Sequence, residues 1–70
     1  MIEEVEFKFA IGSILIAPAS PEVEIIVIDY EYSYSKKEWN YVLLFEEDFL
    51  RLTKCFCENT LVKKGENKYE

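Results

Sequence analysis

The sequence predicts a small all-β domain, and three features carry this prediction. Residues 23–45 contain two apolar, aromatic-rich runs, VEIIVIDYEYSY and WNYVLLF, separated by a polar break at 35–38. Two such runs around a short polar break are typical of a long β-hairpin. Half of the chain is hydrophobic, with many Val, Ile, Phe and Tyr residues, which suits a β core. The breaks are few, at 17–22, 35–38 and 46–48.

The length of 70 residues predicts one domain. A chain of this size buries roughly 60% of the surface that its unfolded form exposes, so its stability is expected to be marginal. We expect the domain to span residues 1–64, followed by a frayed polar tail at 65–70.

The first predicted strand covers residues 5–11, where apolar and other side chains alternate with period two. Gly12 predicts a bulge or bend, after which the strand continues to residue 17. Pro18 and Pro21 end it, because proline cannot donate to a strand ladder.

The remaining predicted strands are 22–34, 39–45, 49–57 and 62–64. The long strand is apolar on both faces in its first half and on one face in its second, which predicts a coiled strand shared by both sides of a small barrel. A short helix at 46–53, capped by Asp48, is the alternative for the fourth region. Residues 58–61 predict a turn of 3₁₀ helix.

The predicted core consists of the apolar residues on the inward face of these strands. They are Phe9, Ile11, Ile14, Ile16, Ile26, Ile28, Tyr30, Tyr41, Leu43, Phe45, Phe56 and Leu61.

The chain is acidic, with a net charge of −6. Residues 1–62 carry twelve Asp and Glu against five Lys and Arg, a balance of −7. This acidity disfavours direct binding to nucleic acid phosphates or anionic lipids and permits a basic partner. The alternative interpretation is that the net charge only keeps a small domain soluble. The absence of an 18-residue apolar run and of a basic signal region predicts a cytoplasmic protein with no membrane segment.

The chemistry-bearing residues predict neither an enzyme nor a cofactor or metal site. Cys55 and Cys57 are the only cysteines, and the chain has no histidine. Two thiols fall short of a four-ligand zinc set, and a disulfide between strand positions i and i+2 would be strained, so we expect free thiols. Contiguous Glu46, Glu47 and Asp48 predict a solvated turn or a contact with a basic surface, because no partner group for acid–base catalysis accompanies them.

The hairpin aromatics form the other candidate surface. Tyr30 and Tyr41 are expected to pack inward, whereas Tyr32, Tyr34 and Trp39 lie near the turn, where a small barrel has least interior. Tyr and Trp are favoured at protein interfaces because they combine apolar area with a polar group. Single-stranded nucleic acid also stacks on such rings, normally beside a basic groove, and this chain has only Lys36 and Lys37 nearby.

The order of these features resembles the small SH3-like β-barrel proteins of bacteriophages and bacteria. The matching stretches are FAIG at 9–12, DYEY at 29–32, WNYVLLF at 39–45 and ENTLV at 58–62. The chain departs from the family pattern by having no glycine at 20–22 or 46–48. The resemblance implies a five-stranded antiparallel SH3-like barrel with a short 3₁₀ turn near the C-terminus, but no activity, because fold does not fix function.

Members of that family serve as adaptors, nucleic-acid binders and phage inhibitors of host proteins. The resemblance and the acidity together predict a non-enzymatic interaction domain, such as a phage-encoded inhibitor that binds a basic surface of a host protein as a monomer or weak homodimer. A nucleic-acid-binding module and a self-associating structural subunit are the alternatives. The residues predicted to contact the partner are Asp29, Glu31, Tyr32, Tyr34, Trp39, Glu46, Glu47 and Asp48.

Overall fold

A computed structural model describes residues 5–65 as five antiparallel strands in one open sheet with one short helix. The elements, in chain order, are β1 (Ile14–Ala17), β2 (Ser20–Ser33), β3 (Glu38–Phe45), β4 (Asp48–Thr53), α1 (Lys54–Thr60) and β5 (Val62–Lys63). The predicted tail lies outside the described residues except for Gly65, which is in a turn. Within the described range, no helix has the length and apolar character that crossing a membrane requires.

The sheet has the strand order β4-β3-β2-β1-β5, and every neighbouring pair is antiparallel. The first four strands form a meander, and β5 returns beside β1. The predicted antiparallel five-stranded architecture is therefore confirmed. The predicted closure into a barrel is not, because β4 and β5 are the two edges of the described sheet and do not pair with each other.

The long hairpin predicted around residues 23–45 is confirmed as β2 and β3. Its loop covers residues 34–37 between the paired residues Ser33 and Glu38. Lys37 adopts a positive φ of 56°, and the backbone N–H of Lys36 donates to Ser33 Oγ at 3.3 Å. The loop is thus closed by local hydrogen bonding without a glycine. Pro21 lies inside β2, so the predicted break before residue 22 is shorter than expected.

A β-bulge in β2 changes which of its residues point to the inner face of the sheet. Val27 pairs with Leu43, but the next paired residue is Asp29, opposite Val42, so Ile28 is the extra residue. Directly opposite residues share a face, and one inserted residue shifts the alternation by one position. Odd-numbered residues therefore face inward before the bulge and even-numbered ones after it. This is why Val27 is fully buried while Ile28 is only half-buried. It also places Tyr30 on the inner face, opposite Tyr41.

The observed core overlaps the predicted core only in part. The predicted residues that are buried are Phe9, Ile16, Tyr41, Leu43 and Leu61. The prediction was wrong for Ile11, Ile14 and Phe56, which are exposed. Ile26, Ile28, Tyr30 and Phe45 are half-buried. The prediction missed Leu15, Val27, Val42 and Cys57, which are buried.

Residues 5–11 do not form the predicted strand. Gly12 has a φ of 98°, and its N–H donates to the carbonyl of Val27 at 2.7 Å, while Ser13 accepts from the N–H of Val27 at 2.9 Å. The chain therefore bends at Gly12 before β1 begins. Phe7 stacks on Tyr30 with ring centroids 3.7 Å apart, and Phe9 is buried. The segment contributes side chains to the inner face of the sheet without adding a strand.

The predicted strand 49–57 ends at Thr53 and is followed by a helix. The extended Thr53 caps α1, because its Oγ1 accepts from the N–H of Phe56 at 3.1 Å. The alternative helix at 46–53 was wrong, and the predicted 3₁₀ turn at 58–61 falls at the end of α1. Residues i and i+2 of a helix point about 200° apart. Cys55 is consequently exposed and Cys57 buried, both as free thiols.

Replacing Glu46 by Gly should stabilise the fold. Glu46 and Glu47 form a two-residue turn between the paired Phe45 and Asp48, and Glu46 has a φ of 58°. An L-residue with a side chain is strained there, so Glu46→Gly should raise the free energy of unfolding by about 0.5–1 kcal/mol after the entropy cost of glycine. Urea unfolding measures the change, and Glu47→Gly, at a position without positive φ, is the control. A loss of stability in Glu46→Gly would contradict this account of the turn.

Candidate interaction surface

A continuous series of aromatic rings lies along the inner face of the hairpin. Tyr30 is paired with Tyr41, and Tyr32 with Trp39, on adjacent strands. The Tyr30 and Tyr41 rings are 5.6 Å apart and the Tyr32 and Trp39 rings 5.3 Å apart, both edge to face. Phe7 links the two pairs by contacting Tyr30 and Trp39, the latter at 5.4 Å. Such edge-to-face and stacked geometries hold the rings in fixed orientations.

The exposure of these rings increases toward the hairpin loop. Tyr41 is fully buried, Tyr30, Tyr32 and Trp39 are half-buried, and Tyr34 is 83% exposed. Tyr34 contacts Tyr32 edge to face at 4.9 Å. Half of the series thus belongs to the core, as predicted for Tyr41, and the end formed by Tyr32, Tyr34 and Trp39 reaches solvent. We call these three residues the aromatic tip.

Glu58 of α1 anchors the buried end of the series. Its Oε2 accepts from the hydroxyl of Tyr41 at 2.6 Å and from the backbone N–H of Lys8 at 2.9 Å. Its Oε1 accepts from Lys54 Nζ at 3.1 Å. The Tyr41 hydroxyl in turn accepts from the N–H of Phe9 at 3.2 Å. This network ties the N-terminal segment, β3 and α1 together beneath the aromatic rings.

The network shifts the pKa values of its two acids in opposite directions. Burial alone would raise the pKa of Glu58, but the hydrogen bonds from Lys8, Tyr41 and Lys54 outweigh it and lower the pKa below its ordinary 4.5. Burial, followed by the hydrogen bond to Glu58, raises the pKa of Tyr41 well above its ordinary 10.0. Tyr41 therefore remains a hydrogen-bond donor and Glu58 an acceptor throughout the neutral range.

Acid should destabilise the fold through Glu58. Because the pKa of Glu58 is lower in the folded than in the unfolded chain, its contribution is present above the ordinary value of 4.5 and is lost as the pH falls through the folded value. Urea midpoints at pH 6 and pH 3 should differ less in Glu58→Gln than in wild type. Glu47→Gln, in the exposed turn, controls for the loss of one charge. If the urea midpoints of Glu58→Gln differ between the two pH values as much as those of wild type, Glu58 is not the cause of the acid destabilisation.

A groove of about 320 Å³ opens beside the aromatic tip. Trp39 and Glu38 form one wall and α1 the other. The side chains that line it are Glu38, Trp39, Thr53, Lys54, Cys55, Glu58 and Asn59. Trp39 lines the groove although the residue is half-buried, so a partner side chain inserted there would contact Trp39.

Asp29 and Glu31 lie on the opposite face of the hairpin from Tyr32 and Trp39, because alternate strand residues point to opposite faces. Asp29 Oδ1 accepts from the N–H of Tyr30 at 2.8 Å. Glu31 forms an exposed ion pair with Arg51 of β4 at 2.5 Å. These two carboxylates therefore flank the aromatic tip on the back of the hairpin.

Glu46, Glu47 and Asp48 are exposed but lie far from the aromatic tip. They follow β3, whereas the hairpin loop precedes it. The seven steps from Glu38 to Phe45 span roughly 24 Å at about 3.4 Å per residue. The structure thus divides the predicted contact residues into two groups at opposite ends of β3. Within residues 5–65, none of the three turn carboxylates takes part in an ion pair.

Among residues 5–65, the most exposed large apolar side chain that the predicted site omitted is that of Phe49. Phe49 is 63% exposed and pairs with Leu44. Leu44 pairs with Ile26, and Ile26 with Ile14, so the four residues form an apolar row across the outer face. The sequence signal for this row was the first half of β2, which is apolar on both faces. The outer face therefore presents apolar side chains as well as Asp29 and Glu31.

Among the described residues, no cluster of three or more Cys, Asp or Glu side chains could hold a metal ion. Comparison of the chain with models of protein families, with curated proteins and with solved structures gives no match.

Proposed function

We propose that this chain is a non-enzymatic protein-interaction domain that docks a basic partner through the aromatic tip. The observation that supports this most is the exposure of Tyr34 beside Tyr32 and Trp39. Three adjoining Tyr and Trp rings at the end of a hairpin are the residue types that most often dominate the energy of protein interfaces.

The aromatic tip is preorganised for binding. Tyr32 contacts both Tyr34 and Trp39, and Trp39 is also held by Phe7. Side chains that are already ordered lose less conformational entropy when a partner covers them. The groove beside Trp39 offers further area to an inserted side chain. An arginine suits this surface, because its planar guanidinium stacks on aromatic faces.

The charge of the chain favours a basic partner mainly at long range. The hairpin end itself is nearly balanced, since Lys36 and Lys37 accompany Asp29, Glu31 and Glu38. The net charge of −6, with its exposed carboxylates at 46–48, creates a field that would speed the approach of a cationic surface. In this proposal the rings supply the binding energy, and the distant acidic turn contributes steering or a second contact with a large partner.

The relationship to SH3-like barrels remains part of the proposal. It is supported by a meander of four strands followed by a helical segment and a fifth strand beside β1. With the acidity, it supports a phage-encoded inhibitor acting in the host cytoplasm on a protein surface that otherwise meets nucleic acid.

Capture from a bacterial lysate by the immobilised chain tests the proposed function. A protein retained by wild type should be lost from Tyr34→Ser, because the most exposed anchor is missing, and should still be retained by Phe56→Ser. Phe56 is also an exposed phenylalanine, at 49%, but it lies on α1 and is the matched control. Reversal of all three charges at 46–48 should slow association without accelerating dissociation. Equal retention by wild type and Tyr34→Ser would contradict the assignment.

A nucleic-acid-binding module is the second candidate, and Lys36 and Lys37 are the observation that favours it. Both are exposed in the hairpin loop next to Tyr34, so bases could stack where phosphates meet two cations. The net charge of −6 opposes it. A mobility-shift assay with DNA and RNA at low salt separates the two candidates, because tight, salt-sensitive binding would support this one and oppose the first.

A further inference from the structure

Strand β4 presents an open edge for pairing. It is the terminal strand of the sheet and pairs only with β3 among residues 5–65. An unpaired edge is a template for another strand, and proteins usually block it with proline, a bulge, inward charges or a very short strand. β4 is six residues long, has no proline and pairs with β3 without a register shift. The other edge strand, β5, has two residues.

We propose that a second copy of this chain pairs with β4 in antiparallel orientation about a two-fold axis through Leu50. Two-fold symmetry requires a self-complementary edge. In this register Phe49 lies opposite Arg51 of the second copy, and Leu50 lies opposite Leu50. Each pair shares a face, because residues directly opposite each other in a ladder point to the same side.

The side chains favour this register over the one with its axis at Arg51. Shifting the axis to Arg51 would place two like charges opposite each other, which is destabilising. With the axis at Leu50, the guanidinium of Arg51 faces the ring of Phe49, a favourable cation–π arrangement.

Pairing would also cover an exposed apolar side chain. Phe49 is 63% exposed and ends the apolar row that runs across the outer face to Ile14. In the paired form the rows of the two copies meet at the new junction. Two six-residue strands bury less than the roughly 1,200 Å² typical of stable complexes, so the dimer should be weak, with a dissociation constant in the micromolar range or above.

Salt should affect dimerisation and the binding of a basic partner in opposite directions. Each copy carries −6, so the two copies repel at long range. Screening shortens that repulsion, with a Debye length of about 10 Å at 0.1 M salt and about 3 Å at 1 M. Dimerisation should therefore strengthen as salt rises, whereas docking of a basic protein should weaken.

Sedimentation of the full chain from about 10 μM to about 1 mM, at low and high salt, tests the proposal against these weak-dimer expectations. Wild type should show a concentration-dependent dimer that is stronger at high salt. Phe49→Lys should raise the dissociation constant by about tenfold or more, because it places a cation opposite Arg51. Phe56→Lys, the same change at an exposed phenylalanine of α1, should leave it within about twofold.

Hydrogen exchange of the wild-type chain locates the contact without any substitution. Amides of β4 that are unpaired with β3 should become protected as the concentration rises. A strict monomer at the highest concentration and salt, a dimer indifferent to Phe49→Lys, or protection confined to another surface would each overturn the proposal. Phe49→Lys should still capture the partner of the aromatic tip, so failure of this inference and failure of the proposed function are distinguishable.

Discussion

Replacing Leu43 by Ala should lower the free energy of unfolding by about 2–5 kcal/mol, the range measured for large-to-small substitutions in protein cores. Leu43 is fully buried in the middle of β3 and faces Val27 across the hairpin. The domain has only 70 residues, so its free energy of unfolding is expected to be small. This loss should therefore leave much of the protein unfolded.

Urea or thermal unfolding of Leu43→Ala measures the effect, and Leu44→Ala is the matched control. Leu44 is the next residue on the same strand, but it lies on the outer face and is half-buried. The same chemical change should cost less there, because less apolar surface leaves water when the native chain folds. Equal losses for the two variants, or an unchanged melting temperature for Leu43→Ala, would show that the two faces have been assigned wrongly.

Replacing Trp39 by Ala should weaken partner binding by about 2 kcal/mol or more, which is roughly thirtyfold, mostly through faster dissociation. Trp39 packs edge to face against Tyr32 in the aromatic tip and forms a wall of the groove against α1. Its loss removes the largest anchor and frees Tyr32, so both contact area and preorganisation fall. Surface plasmon resonance with the captured protein measures the two rate constants.

Trp39 also packs against Phe7, so the variant needs a stability control. Trp39→Phe keeps a ring in that position and should bind with intermediate affinity. Melting curves show whether Trp39→Ala is folded at the temperature of the binding experiment. A folded Trp39→Ala chain that binds like wild type would place the contact elsewhere on the molecule.

The hairpin was predictable because its signal is local. Alternation in residues 39–45 and a polar break at 35–38 define two strands and their loop without reference to the rest of the chain. The inward face of β2 was not predictable in the same way. The bulge at Ile28 adjoins the backbone hydrogen bonds of Val27 with Gly12 and Ser13, which are distant in sequence, and it leaves Val27 rather than Ile26 on the inner face.

Two segments with strand-like alternation took other conformations for tertiary reasons. Residues 5–11 lie over the sheet because Phe7 and Phe9 find aromatic partners there. The segment after Thr53 becomes a helix that buries Cys57 and brings Glu58 to Tyr41. Thr53 was the one local signal for this helix, as a residue type favoured at N-caps. Seven residues are too few for helix propensity to decide without such contacts.

The candidate site divides in the same way between local and long-range features. The exposure of Tyr34 follows from its place at the start of the hairpin loop, one residue beyond β2, whereas the sequence placed it at the last position of that strand. The distance of Glu46 from that loop follows from the direction of β3, and the prominence of Phe49 from its place on an edge strand. The edge position of Phe49 was not visible before strand order was known.

The most direct test of the proposed function is an NMR titration of the isotope-labelled chain with a nine-residue oligoarginine peptide. The chain offers two candidate sites for comparison. Tyr32, Tyr34 and Trp39 supply aromatic rings, whereas Glu46, Glu47 and Asp48 supply negative charge alone. We predict that the largest amide shifts occur at the aromatic tip and persist at about 0.15 M salt, where the Debye length is about 8 Å. Shifts centred on 46–48, or shifts that vanish everywhere at that salt, would contradict it.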